Sequence, residues 1–199
     1  SRVRIKLASE NYQTFKENGI EVVVSEPTII AASRDKQKWF DYFSERNCKI
    51  VATYPVKTFK QNPDSSIFPA IVKPSGGSAS QGILILNNID DLDQANDDDI
   101  IQPYLFPVEG DKNYQTIKKA VENGKLVQLS EISIQLLFSK DSKLSGIFIS
   151  KNTLKDGVPV FVDTIKPEDF EYLDEIMKFV PICEEKGVKG PVNIQGRIT

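Results

Sequence analysis

Lys73 closes a short apolar run, Phe68-Pro69-Ala70-Ile71-Val72-Lys73, and the chain then enters Pro74-Ser75-Gly76-Gly77-Ser78-Ala79-Ser80-Gln81-Gly82. A single cation at the end of a strand, directly before a glycine- and serine-rich segment, has the makings of a phosphate site. Gly76, Gly77 and Gly82 permit backbone shapes that turn successive N–H groups toward one point, and Ser78 and Ser80 add hydroxyl donors. Such a loop acts as a flap over a polyphosphate, with the lysine as a fixed countercharge. The plain alternative is a surface lysine followed by a turn between two strands.

The chain has no histidine. That removes Ser-His and Cys-His nucleophile pairs and the commonest zinc ligand together. Chemistry must run on lysine, arginine, carboxylates, amides and backbone groups, an inventory that suits phosphoryl transfer, where positioning and charge neutralisation dominate. The order of residues excludes the familiar phosphate loops. A Walker loop places lysine after its glycines, but Gly82 is followed by Ile83-Leu84. The kinase loop also has its lysine downstream, and no GxGxxG dinucleotide fingerprint is present. The acidic cluster Asp90, Asp91, Asp93, Asp97, Asp98, Asp99 lacks the spacing and glycine of a calcium loop and reads as a solvated helix and turn.

Composition sets the frame. The chain has 199 residues, 40% hydrophobic and 27% charged, with a net charge of -3. This composition fits a soluble globular protein and argues against nucleic acid as a partner, since phosphate backbones are bound by clustered cations. No apolar run is long enough to span a bilayer, so no membrane partner is expected. Cys48 and Cys183 match no zinc spacing and are expected to be free thiols in a reducing cytoplasm.

The elements that would position these residues follow from periodicity and punctuation. A helix is expected around Leu7–Asn18, stopped by Gly19, then a strand at Glu21–Ser25. Ser33 is the expected N-cap of a helix over RDKQKWFDYFSERN, with Trp39, Phe40 and Phe43 on one face. Strands are expected at Pro69–Pro74, Gly82–Leu86 and Asp99–Phe106, with a short acidic helix over NNIDDLDQAN. Tyr114–Val121 and Lys125–Phe138 read as two long β runs joined by a hairpin turn at Glu122-Asn123-Gly124. SGIFISKN, GVPVFVD and GPVNIQGRIT add strands, and PEDFEYLDEIMKFVPICEEKGV a helix kinked at Pro181.

The order strand, Lys-Pro, glycine loop, strand resembles the ATP-grasp superfamily, in particular the ATP-binding domain of carbamoyl-phosphate-synthase large chains. SRDKQKWFDYF is similar to that family's helix before the loop, IIQPYLF to its adenine-side hinge strand, and GVKGPVNIQGR to its G-x-x-N-[IV]-Q strand. Together these stretches span about residues 20–199. The resemblance implies an α/β fold of two α+β lobes clasping a nucleotide. Residues 1–34 would end a preceding domain, 35–67 begin the ATP-grasp domain, 68–106 form the lobe with the glycine loop, and 107–199 form an incomplete C-terminal lobe.

It also implies roles. Lys36 and Lys73 would contact the phosphates, Gly76, Gly77, Ser78 and Gly82 would cover them, and backbone groups of Tyr104 and Leu105 would read the adenine. Relatives often carry glutamate directly after the Gln102 position, where this chain has Pro103. The ribose carboxylate would then be Glu109 or Asp111, with Glu109 preferred. Gln195 would supply one oxygen to magnesium. The remaining metal ligands, in an E-x-N-P-R stretch, and most of the preceding domain would lie outside residues 1–199. The parent protein would use ATP and magnesium to convert a carboxylate or bicarbonate into an acyl phosphate, while this stretch alone would bind nucleotide weakly. Two alternatives stay open: a ligase joining an amino acid or peptide carboxylate to an amine, and a nucleotide-binding module without catalysis. Biotin carboxylase is the poorer match, its loop being richer in glycine.

Overall fold

The computed structural model describes residues 2–33, 35–76 and 82–199. Gly77 and Ser78, two of the expected loop contacts, lie outside them. The chain runs through α1 (Arg2–Glu10), α2 (Tyr12–Glu17), α3 (Pro27–Ala32), α4 (Lys36–Ser44), β1 (Tyr54–Pro55), α5 (Val56–Phe59), β2 (Ala70–Pro74), β3 (Leu84–Leu86) and β4 (Asp99–Pro103). It continues through α6 (Tyr114–Glu122), β5 (Gln128–Phe138), β6 (Leu144–Lys155), β7 (Val158–Ile165), α7 (Leu173–Met177), α8 (Phe179–Glu185) and β8 (Gly190–Gly196).

Two antiparallel sheets organise these elements. One has the order β1-β4-β2-β3, the other β7-β6-β5-β8. With helices and antiparallel sheets in one chain, the class is α+β. In the second sheet Ile132, Ile134, Leu136 and Phe138 of β5 alternate inward at period two. They pack against Phe43 of α4 and Phe179, Val180, Ile182 and Cys183 of α8. Each large apolar side chain buried this way contributes roughly 1.5–3 kcal/mol. Both cysteines are free and buried in this core. In the first sheet, Ala70 and Val72 of β2 face a separate core with Val56, Phe59, Leu86 and Ile101, which leaves Ile71 and Lys73 on the opposite face, toward the second sheet.

Several expected elements differ. Tyr114–Val121 is not a strand but the helix α6, whose inner residues Ile117 and Val121 pack with Ile85 and Tyr104. A four-residue spacing between Ile117 and Val121 suits a helix face, and β-branched residues at such a seam tolerate a helix when burial rewards them. Accordingly Glu122-Asn123-Gly124 ends a helix, with Gly124 at φ 66°, and is not a hairpin turn. Glu21–Ser25 pairs in no sheet. It is pinned instead by side chains: Ser9 Oγ donates to Ser25 O (2.7 Å), and the Lys189 N–H donates to Ser25 Oγ (2.8 Å).

The helix cap also moves. Asp35, not Ser33, caps α4, its Oδ1 accepting from the N–H groups of Gln37 (3.1 Å) and Lys38 (3.2 Å). The first helix breaks at Asn11 into α1 and α2. The helical stretch near the C-terminal end divides at Lys178, because Pro181 cannot donate to the Met177 carbonyl four residues back and instead occupies the first turn of α8.

Candidate functional site

Lys36 is the first residue of α4, fixed by the Asp35 cap. Its Nζ donates to Pro74 O (2.8 Å) and Ser75 O (2.9 Å), the carbonyls where β2 runs out into the glycine segment. Lys73 is one residue earlier on β2. Burial, together with the positive charge of Lys36, pulls its pKa down to about 8, while the negative charge of Glu131 works the other way. Two cations from different elements therefore meet at the root of the loop. Gly76 is exposed in the turn after Ser75. Gly82, at φ 69°, brings the chain back beside Pro74, where an added Cβ would stand 3.2 Å from the proline ring.

The second sheet answers from across the junction. Glu131 on β5 and Arg197, just past β8, form an ion pair at 2.5 Å. Arg197 is 7% exposed and also donates to Leu105 O (2.7 Å) and Val127 O (3.3 Å), with its guanidinium 4.9 Å from the Tyr104 ring centroid. Burial raises the proton affinity of Glu131, and the cations Arg197 and Lys73 counter it. Glu131 thus stands between a cation of each sheet. Its second oxygen has no hydrogen bond among the described residues.

Around this group several buried polar atoms have no partner among the described residues: Tyr104 Oη, Asn152 Oδ1 and Arg197 Nε. Asn152 stands directly opposite Glu131 in the β5–β6 ladder. Buried polar atoms normally find partners, so these three add hydrogen-bonding capacity to the junction.

The hinge strand is shorter than expected, ending at Pro103. The Tyr104 N–H donates to Pro69 O (2.8 Å), and Leu105 O accepts from Arg197. Those two backbone groups are spent within the protein, leaving Tyr104 O and Leu105 N–H without a hydrogen bond among the described residues. Gln102 donates to Thr53 Oγ1 (2.6 Å), both buried, and so serves the fold.

Among the described residues, neither of the two expected ribose carboxylates makes a hydrogen bond or ion pair with Lys73, Glu131 or Arg197. Glu109 is exposed in the loop after the hinge. Asp111 has both oxygens engaged, by Ser130 Oγ (2.7 Å) and the Asn113 N–H (2.8 Å) on one and Lys151 Nζ (2.6 Å) on the other. Gln195 is exposed opposite Ser133, on the same face of β8 as Asn193 and Arg197. Ser133 Oγ donates to Asn193 Oδ1 (2.7 Å) and fixes that neighbour. Among the described residues no three His, Cys, Asp or Glu side chains cluster to hold a metal.

Glu131 and Arg197 were missed from the sequence, yet alternation carried a signal for both. Within Glu131-Ile132-Ser133-Ile134 the polar residues share a face, and Asn193, Gln195 and Arg197 share another. Two concavities elsewhere, of about 270 and 290 Å³, lie against α3 and beside Trp39 and Tyr42 and hold none of these residues.

No known family profile matches the sequence, and no curated protein matches it. Solved structures do. N5-carboxyaminoimidazole synthetase from Staphylococcus aureus, complexed with ADP, is 16% identical, with a TM-score of 0.60 over 98% of this chain and 46% of that one. The biotin carboxylase domain of Hydrogenobacter thermophilus 2-oxoglutarate carboxylase, in complex with MgADP and bicarbonate, is 14% identical, with a TM-score of 0.61 over 96% of this chain and 42% of that one. A protein from Archaeoglobus fulgidus assigned to the ATP-grasp superfamily is 15% identical, with a TM-score of 0.55 over 96% of this chain and 48% of that one. The chain therefore spans less than half the length of each of these structures. At such identities the likeness speaks for architecture: this chain has the ATP-grasp fold.

Proposed function

We propose that this chain is the nucleotide-binding part of an ATP-dependent ligase. In that reaction a carboxylate or bicarbonate oxygen attacks the γ-phosphorus, ADP leaves, and the acyl phosphate then passes its acyl group to an amine as phosphate departs. The convergence of Lys36 and Lys73 at the root of the glycine segment carries the reading. Lys73 neutralises the polyphosphate, and Lys36 holds the loop root in place beside it. Tyr104 O and Leu105 N–H offer an acceptor and a donor to the adenine edge, and Ile71, on the face of Lys73, gives an apolar wall. Glu131, in place of Glu109, takes a ribose hydroxyl with its second oxygen. Gly76 and Gly82 stand at the phosphate end of this site. Gln195 supplies one neutral oxygen ligand to a magnesium ion, which would neutralise phosphate charge when bound.

Structural neighbours in complex with ADP, one of them also with bicarbonate, support this reading. The acceptor and product belong to the whole protein, as does a carbamoyl-phosphate-synthase-like reaction.

Calorimetry and melting curves with Mg-ATP test it. ATP at a hundred times its Kd is expected to stabilise the chain by about 2.7 kcal/mol through linkage, and Lys73→Met to weaken that binding. No thermal shift at millimolar Mg-ATP, or equal affinity in Lys73→Met, would overturn the reading.

A further inference from the structure

The β5–β6 ladder slips immediately before Glu131. Gln128 stands opposite Leu154 and Glu131 opposite Asn152, so three steps along β5 match two along β6. The extra residue makes a bulge, and Ser130, buried at its corner, takes a φ of 56°. That left-handed backbone is disfavoured for residues other than glycine and persists only where surroundings impose it.

The imposing groups can be named. Ser130 Oγ donates to Asp111 Oδ1 (2.7 Å) and accepts from Asn113 Nδ2 (3.0 Å). Asp111 Oδ2 accepts from Lys151 Nζ (2.6 Å), and Lys151 adjoins Asn152, the cross-strand partner of Glu131. The Asp111 side chain is 6% exposed. Burial opposes its ionisation, yet hydrogen bonds from Lys151, Asn113 and Ser130 hold its carboxyl below the usual range. The segment after the hinge, β5 and β6 are thereby tied together one residue from the Glu131 carboxylate.

We propose that Asp111, Ser130 and Lys151 are positioning residues: by locking the bulge they set the direction in which Glu131 projects between Lys73 and Arg197. A bulge bends its strand and re-aims the side chain beside it. The proposal rests on the reading of Glu131 as the ribose carboxylate, and it gives the buried Asp111 a task distinct from touching nucleotide.

The test compares affinities of this chain for ATP and 2′,3′-dideoxy-ATP by calorimetry. The unmodified chain is expected to prefer ATP by about tenfold or more, the value of a hydrogen bond to a charged group. Glu131→Gln should remove most of that preference. Ser130→Gly keeps the backbone shape, loses the hydroxyl, and should reduce the preference at least about threefold, with dideoxy-ATP affinity unchanged. Lys151→Gln, at a partly exposed position, gives the same readout independently of whether Ser130→Gly folds. In a Glu131→Gln background neither change should alter the ratio further. With Glu131 in place, Ser130→Asn, which tolerates a left-handed backbone and offers an oxygen, should keep more of the preference than Ser130→Gly does. Equal weakening of both nucleotides by Ser130→Gly and Lys151→Gln, or no change in either, overturns the positioning role alone. An unmodified chain that binds both nucleotides equally overturns the Glu131 reading, and the positioning role with it.

Discussion

Lys36 and Lys73 stand close enough that the charge of one lowers the proton affinity of the other, although they belong to a helix and a strand. Like charges at one point are unfavourable in an empty site and favourable once a polyanion arrives. On the proposed function, the repulsion between these two lysines is relieved when a polyphosphate binds.

A pH dependence follows. With the site empty, Lys73 loses its proton as pH rises past about 8. A bound polyphosphate holds that proton on, so above this pH the complex carries more protons than the separate partners. Affinity for ATP is therefore expected to fall with rising pH, by up to about tenfold per unit above that point. Calorimetry at pH 8.5 in buffers of different ionisation enthalpy should show proton uptake in the unmodified chain and none in Lys73→Met. Identical heats in all buffers would contradict this.

The Glu131–Arg197 pair supports the fold as well as the site. Arg197→Ala leaves a largely buried carboxylate without its main partner and frees the carbonyls of Leu105 and Val127. A loss of about 3 kcal/mol in urea unfolding is expected. Glu131→Gln with Arg197→Met should cost less than Arg197→Ala alone, since no unpaired charge remains. A change within about 0.5 kcal/mol for Arg197→Ala, the range of ordinary surface substitutions, would show that neither the pair nor the Arg197 bonds to Leu105 O and Val127 O support the fold.

Gly82→Ala probes the return from the glycine segment. It places a Cβ against the Pro74 ring at a φ of 69°, and a cost of about 1–2 kcal/mol is expected. Because the contact is to β2 beside Lys73, ATP affinity should fall along with stability. Unaltered melting in Gly82→Ala would mean that this backbone adapts freely.

Much of the fold was legible because burial imposes period two on β5 and punctuation surrounds β2 and β3. The order of lysine, glycine segment and Gln195 strand also carried the architecture. What failed did so for local reasons. Tyr114–Val121 is rich enough in β-branched residues to read as strand, but Ile117 and Val121 meet the first sheet as a helical seam. Glu109 was preferred by its place along the chain, whereas Glu131, which the ladder sets opposite Asn152, went unweighed. Cross-strand register of that kind depends on a bulge at Ser130, which no composition or spacing announces. Asp35 won the helix cap over Ser33 because its carboxylate reaches two N–H groups at once.

The two cysteines acquire a use from where they sit. Both are in the core beneath the second sheet, and burial drives the Cys183 thiol up to about 12, so alkylating reagents meet almost no thiolate while that core is shut. Their labelling rate thus clocks the opening of one half of the molecule. A nucleotide that clamps the halves together should slow this clock, giving an occupancy signal that needs neither turnover nor an attached dye.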